Sequence, residues 1–326
     1  MRILNLAIVI AAIVPTSSKL FGQPIDEKYA HAYSLMKGIL ESQASVRTFD
    51  VRVDKWSSLT VQDAANAEKA PPIETTISYR LIADLNKHRI FIVRRITIES
   101  NQSKRFPQFS KADTRLASFN DGQAIRRMLH HSGDIDRPQQ VDFEMFCRKD
   151  QIELPHYVGI FGPLRIWLTK PIEELSNRLL AAYNECVVQT APDGTMRIIN
   201  DGEKGRTVYV VDPISLTVTQ RIVTREENGV SKTLLVHDVK YLEESGVYLP
   251  VEVSFSGEEQ LPDVTSTFAN GIPADEVGTI DIEWLSVNDP EMTFAELDEL
   301  KVDVKKWDEF LKPINKDSKN RTQQLK

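Results

Sequence analysis

The fold is decided by one stretch, VYLPVEVSF, which occupies residues 247–255. Apolar side chains stand at every second position from Val247 to Phe255. The positions between them hold Tyr248, Pro250, Glu252 and Ser254. Because successive side chains of a strand point to opposite faces, this period of two predicts a strand with one face covered by other parts of the protein.

The same alternation extends outward along the chain in both directions. Phe49, Val51 and Val53 alternate with charged residues, and further strand-like runs follow one another between residues 185 and 285. Turn signals separate these runs, and the strongest hairpin signal in the chain, Asn120-Asp121-Gly122, joins two more runs over residues 117–129. Strands that follow in sequence without intervening helices predict an antiparallel meander rather than βαβ units.

Two segments have helical spacing instead. Apolar residues recur at intervals of three and four in residues 26–45, and Pro171 with Glu173 and Glu174 is typical of the first turn of a helix over 171–184. Helices at 26–45 and 171–184 beside a long sheet predict an α+β fold. Since no linker or repeat interrupts the chain, we expect a single domain over residues 23–311.

The first 22 residues predict the cellular compartment. Arg2 precedes the apolar run Ile3–Val14, and small and polar residues follow it. This is the layout of a secretory signal peptide, and the run is too short to span a bilayer. We therefore expect an exported protein, periplasmic or secreted, with no transmembrane segment in the mature chain. Residues 312–326 are polar and are expected to form a disordered tail.

Composition and motifs exclude several function classes. The formal net charge is −7, whereas a nucleic-acid binder should carry a basic excess. The sequence contains no nucleophile elbow, phosphate-binding loop, dinucleotide fingerprint or zinc-protease motif. We therefore predict no enzyme, and we name no catalytic residue, metal ligand or cofactor.

The chain has two cysteines, Cys147 and Cys186. A disulfide between them can form in an oxidising compartment. The alternative is two separate thiols, with Cys186 filling a strand, and the sequence leaves both open.

Strand phase gathers apolar residues on one side of the sheet. These candidates to line a ligand cavity are Phe49, Val51, Val53, Ile77, Tyr79, Leu81, Ile90, Ile92, Leu249, Val251 and Val253. A curved sheet can keep an apolar hollow of this kind for a ligand. In the alternative, helices and loops simply fill the space.

The order of these elements resembles the outer-membrane lipoprotein carrier (LolA/LolB-like) superfamily. Its helix-to-strand entry is matched by residues 45–51, and its hairpin and "DG" turn by Lys87-His88-Arg89 and residues 119–122. An aspartate-proline turn follows at residues 209–213, and a later strand carries a proline at residues 248–250. The chain departs from the family by its extra length and by the absence of a proline beside Arg89.

The resemblance implies a strongly curved antiparallel half-barrel with helices against its concave face. It also implies a carrier of lipoprotein acyl chains or another hydrophobic ligand, with Arg89 as a latch for the lid and a membrane protein as partner. The alternative is an exported, non-enzymatic scaffold or sensor with a filled interior, which acts through a protein partner.

Overall fold

The structure is a computed structural model, and it describes part of the chain. The described residues are 27–61, 72–84, 86–87, 89–99, 112–120, 125–131, 139–145, 186–202, 205–227, 229–261, 272–289 and 310–311.

One helix and thirteen strands make up the regular structure of these described residues. The helix, α1, spans Glu27–Ala44. The strands of the first half are β1 (Thr48–Val61), β2 (Ile73–Asp84), β3 (Arg89–Glu99), β4 (Ala112–Asn120), β5 (Ile125–His131) and β6 (Gln139–Met145). Those of the second half are β7 (Val187–Thr190), β8 (Met196–Gly202), β9 (Gly205–Asp212), β10 (Thr217–Glu227), β11 (Val230–Glu244), β12 (Val247–Leu261) and β13 (Ile272–Val287).

All thirteen strands belong to one sheet, in the order β6-β5-β4-β3-β2-β1-β13-β12-β11-β10-β9-β8-β7. The chain runs from β1 outward to the edge strand β6. It resumes at the opposite edge with β7 and returns strand by strand to β13, which pairs with β1 in antiparallel register. The predicted antiparallel meander is confirmed, and it is an open sheet with β6 and β7 at its edges.

The predicted α+β class is wrong. Thirteen strands and one helix of 18 residues form the described part of the chain, and the expected helix over 171–184 lies outside it. The described fold is therefore an open antiparallel sheet with one helix, instead of a half-barrel packed with helices. The physical reason is strand length, since alternating runs such as β12 and β13 continue for 15 and 16 residues and bury their own apolar side chains against one another.

One side of this sheet carries the main core. We call it the apolar face, and nine strands, β1–β3 and β8–β13, contribute to it. Its buried side chains are Phe49, Val51, Val53, Tyr79, Leu81, Ala83, Ile92, Ile198, Tyr209, Val211, Val218, Val239, Leu249, Val253, Phe255, Ile280 and Ile282. Ala32, Leu35 and Ile39 of α1 are buried in the same cluster, so the helix covers part of this face.

The opposite side is also covered, around β2 and β3. Phe91 and Val93 are buried there, and the Phe310 ring lies edge-on to Phe91 at 5.5 Å between centroids. The same ring lies 4.1 Å from the Arg80 guanidinium, which makes a two-pronged ion pair with Asp50 at 2.8 and 2.6 Å. Residues near the C-terminus therefore pack on the outside of the sheet.

Asn288 joins the end of β13 to the segment between α1 and β1. Its side-chain oxygen accepts the Arg47 N–H at 2.8 Å, and its amide nitrogen donates to the Ser45 carbonyl at 2.9 Å. Its φ of 54° is in the left-handed region, which asparagine tolerates better than most residues. This contact sets where α1 meets the apolar face.

Candidate functional site

The structure brings most of the predicted cavity residues together on the apolar face. Eight of them belong to its buried cluster, and Ile77 packs against the cluster partly buried. The eight are Phe49, Val51, Val53, Tyr79, Leu81, Ile92, Leu249 and Val253. These residues share one face because of the strand register. Val51 is opposite Leu81 on β2, and Leu81 is opposite Ile92 on β3.

Two predicted residues, Val251 and Arg89, lie elsewhere, and the side chain of a third, Ile90, is not described. Val251 is half-buried outside the cluster, because the β11–β12 register shifts at that point and passes from Glu252 to Pro250. Arg89 is exposed at the start of β3, opposite Asp84 in the ladder and on the other side of the sheet from Ile92. The backbone of Ile90 pairs with that of Ala83, and its side chain lies outside the described part of the structure.

The apolar face is densely packed. Leu81 and Leu249 are both 0% exposed, and the Phe49 ring meets the Trp284 ring edge-on at 5.8 Å. The Trp284 indole N–H donates to the Pro250 carbonyl at 2.8 Å, which fixes that ring against β12. These side chains are therefore held in place by their neighbours.

Polar side chains cross the same face farther along the strands. We define the polar row as these polar side chains together with the Phe255 ring that lies among them. The polar members are Lys55, Arg221, His237 and Glu276. Its members come from five adjacent strands, β1, β13, β12, β11 and β10. Cross-strand pairs align them, with Arg221 opposite His237 and His237 opposite Phe255.

Phe255 is the centre of the polar row. The Lys55 ammonium lies 4.8 Å from the centroid of its ring, and the His237 ring meets it edge-on at 5.9 Å. Lys55 also donates to a Glu276 carboxylate oxygen at 3.2 Å. Gly278, opposite Phe255 on β13, leaves room for the ring, because a Cβ there would collide with it and with the Trp56 carbonyl.

The polar row carries a net positive charge. Burial, together with the nearby charges of Arg221 and Lys55, lowers the pKa of His237 to about 4. The imidazole is therefore neutral near pH 7, and it can both donate and accept a hydrogen bond. The Nε of Arg221 is buried, and no acceptor among the described residues reaches it.

Sequence analysis missed the polar row. Lys55 continues the phase of Phe49, Val51 and Val53, so a charged residue at a core-facing position was the available signal. His237 likewise shares the phase of Val239. Neither feature belongs to a motif, and only the register of five strands brings them together.

The structure adds little about the remaining predictions, which concern the cysteines, a metal site and a membrane span. Cys186 is buried within the core cluster, while Cys147 lies outside the described residues, so the disulfide stays a prediction. In the part of the chain that the structure describes, no group of three or more His, Cys, Asp or Glu could hold a metal ion. The helix of this part, α1, is not long and apolar enough to cross a membrane.

Comparison with known proteins identifies no family. No family model matches the chain, and no curated protein matches it. Among solved structures, a β-barrel-like protein of a domain of unknown function (DUF1849) from Brucella abortus covers 74% of this chain and 100% of its own, at 9% identity and a TM-score of 0.28.

Lipovitellin, from a structure describing lipid–protein interactions, is similar over 76% of this chain at 10% identity and a TM-score of 0.25. This chain spans about a quarter of lipovitellin, 26% of its length. Likenesses at these TM-scores support no functional argument.

Proposed function

We propose that this protein is a non-enzymatic carrier, which binds an acyl chain or a similar hydrophobic ligand along its apolar face. The observation that supports the proposal is the continuity of that face. Nine strands of one open sheet present buried apolar side chains to the same side, and α1 is the helix of the described residues that packs on them. Apolar surfaces with a few placed polar groups are the usual binding sites for such ligands.

The dimensions also favour an acyl chain. The distance along β1 from Phe49 to Lys55 is about 20 Å at the rise of an antiparallel strand. This is comparable to the length of a long extended acyl chain. A ligand lying on the apolar side chains would therefore end beside the polar row, where its head group meets polar partners.

Export and transport of lipoproteins are the finer part of the proposal. Arg2 and the run Ile3–Val14 support a signal peptide, which would place the carrier in the periplasm or outside the cell. The order of elements that resembles the LolA/LolB-like carriers supports lipoprotein acyl chains as cargo and a membrane protein as partner.

A second function is favoured by one observation, the near-complete burial of the apolar face. Leu81 and Leu249 are fully buried, as in a close-packed core. A protein with such an interior would be a scaffold or sensor that acts through a protein partner. For the carrier, a ligand must instead take the place of groups that now cover these side chains.

Titration of the full chain with a fluorescent fatty acid separates the two functions. For the carrier we expect saturable binding, which Val51→Phe weakens because Val51 lies between Leu81 and Trp284 on the apolar face. Ile214→Phe is the matched control, since Ile214 is 90% exposed. No saturable binding by the wild type, or equal loss in both variants, would reject the carrier in favour of the scaffold.

A further inference from the structure

A hydrophobic chain would lie on the apolar face. The polar row then indicates which head group such a ligand has. Charged groups on a mostly buried face are costly unless partners compensate them. The side chains of Lys55 and Glu276 are 13% and 19% exposed, and they compensate one another at 3.2 Å. Their two charges therefore contribute no net charge to the row.

Arg221 is left as the net charge of the polar row. It is half-buried, and its Nε has no acceptor among the described residues. Its strand neighbour on this face, His237, is neutral near pH 7 and adds no charge of its own. Among the described residues, the five side chains of the row thus sum to one net positive charge.

A guanidinium with this surplus charge selects the chemistry of its partner. Arginine presents several N–H donors in a planar fork, which matches a carboxylate with two parallel hydrogen bonds. His237 adds a neutral hydrogen-bonding group beside it, and the Lys55 ammonium, which is paired with Glu276, lies 4.8 Å from the centroid of the Phe255 ring. Neutral or cationic head groups would leave Arg221 uncompensated.

We propose that the polar row binds the carboxylate of a long-chain fatty acid, with Arg221 as its ion-pair partner and the acyl chain extending over the apolar face. This inference rests on the proposed carrier function and names its ligand class. Glu276 acts against it, because its carboxylate repels the ligand and holds Lys55.

Competition against the fluorescent fatty acid tests the head group. Palmitate and hexadecanol carry the same chain and differ in charge. We expect palmitate to bind at least tenfold more tightly to the wild type, a difference of about 1.4 kcal/mol. In Arg221→Gln we expect this preference to disappear while hexadecanol binds as before, and Arg221→Lys should restore part of it.

Two further variants complete the experiment. Arg225→Gln is the matched control on the same strand, where Arg225 is exposed and pairs with Glu227, and it should keep the preference. Glu276→Gln should tighten palmitate about tenfold and leave hexadecanol unchanged, a gain that damage to the fold cannot produce.

The outcomes separate the two proposals. Equal binding of palmitate and hexadecanol, or a preference that survives in Arg221→Gln, would overturn the carboxylate site and leave the carrier standing. Lysophosphatidate has a phosphate head group in place of the carboxylate. If it binds more tightly than palmitate, the choice of a carboxylate is overturned. Failure of every amphiphile to compete would reject the carrier itself, and the head-group site with it.

Discussion

Leu81→Trp tests whether the apolar face is closely packed without ligand. Leu81 is fully buried on β2 and lies opposite Val51 on one side and Ile92 on the other. An indole is much larger than an isobutyl group, so it must push these neighbours off their preferred rotamers. Overpacking of this kind costs about 1–3 kcal/mol.

Urea unfolding followed by circular dichroism measures this cost. With a slope of about 3 kcal/mol per molar urea, the midpoint should fall by about 0.3–1 M. Ile214→Trp, at an exposed turn position, is the control and should leave the midpoint within about 0.2 M, which corresponds to about 0.5 kcal/mol. An unchanged midpoint in Leu81→Trp would refute the reasoning, because it would mean that this side chain borders an unfilled space.

Three other perturbations test the parts of the site. Asn288→Ala should lower the free energy of unfolding by about 1–2 kcal/mol in the same assay, because it removes the three hydrogen bonds of the asparagine side chain and puts alanine at a φ of 54°; a wild-type midpoint would contradict the joining role. Gly278→Ala should destabilise the fold and displace the Phe255 ring, seen as changed aromatic NMR shifts of His237; unchanged shifts would contradict the close approach. Since the pKa of His237 is about 4 when folded and ordinarily about 6.5, the neutral form stabilises the fold above pH 6.5, and this contribution is lost as the pH falls toward 4. His237→Gln should flatten that part of the stability profile, and an NMR titration of His237 that gives a value near 6.5 would contradict the burial.

The sheet could be predicted because its signal is local. Alternation in β1 and β12 identifies which side chains share a side, and short turns make neighbours of strands that follow one another. That is why the alternation predicts Val51, Leu81 and Leu249 on one side of the sheet, where the structure has them in one cluster. The α+β class failed because helical spacing in a sequence does not say how much of the fold the helices make.

The exceptions depend on contacts that no local pattern records. Val251 leaves the apolar face because a bulge shifts the register of β11 against β12. The pairing of β1 with β13 joins residues more than two hundred positions apart, and it is what brings Lys55 to Glu276. The packing of Phe310 on Arg80 and Phe91 likewise unites distant segments.

Native mass spectrometry of the full chain, purified from its own cells without detergent, tests the carrier most directly. We expect a population whose excess mass equals one fatty acid, which is released on collisional activation and replaced by added palmitate. A single unliganded mass that does not change with added palmitate would contradict it.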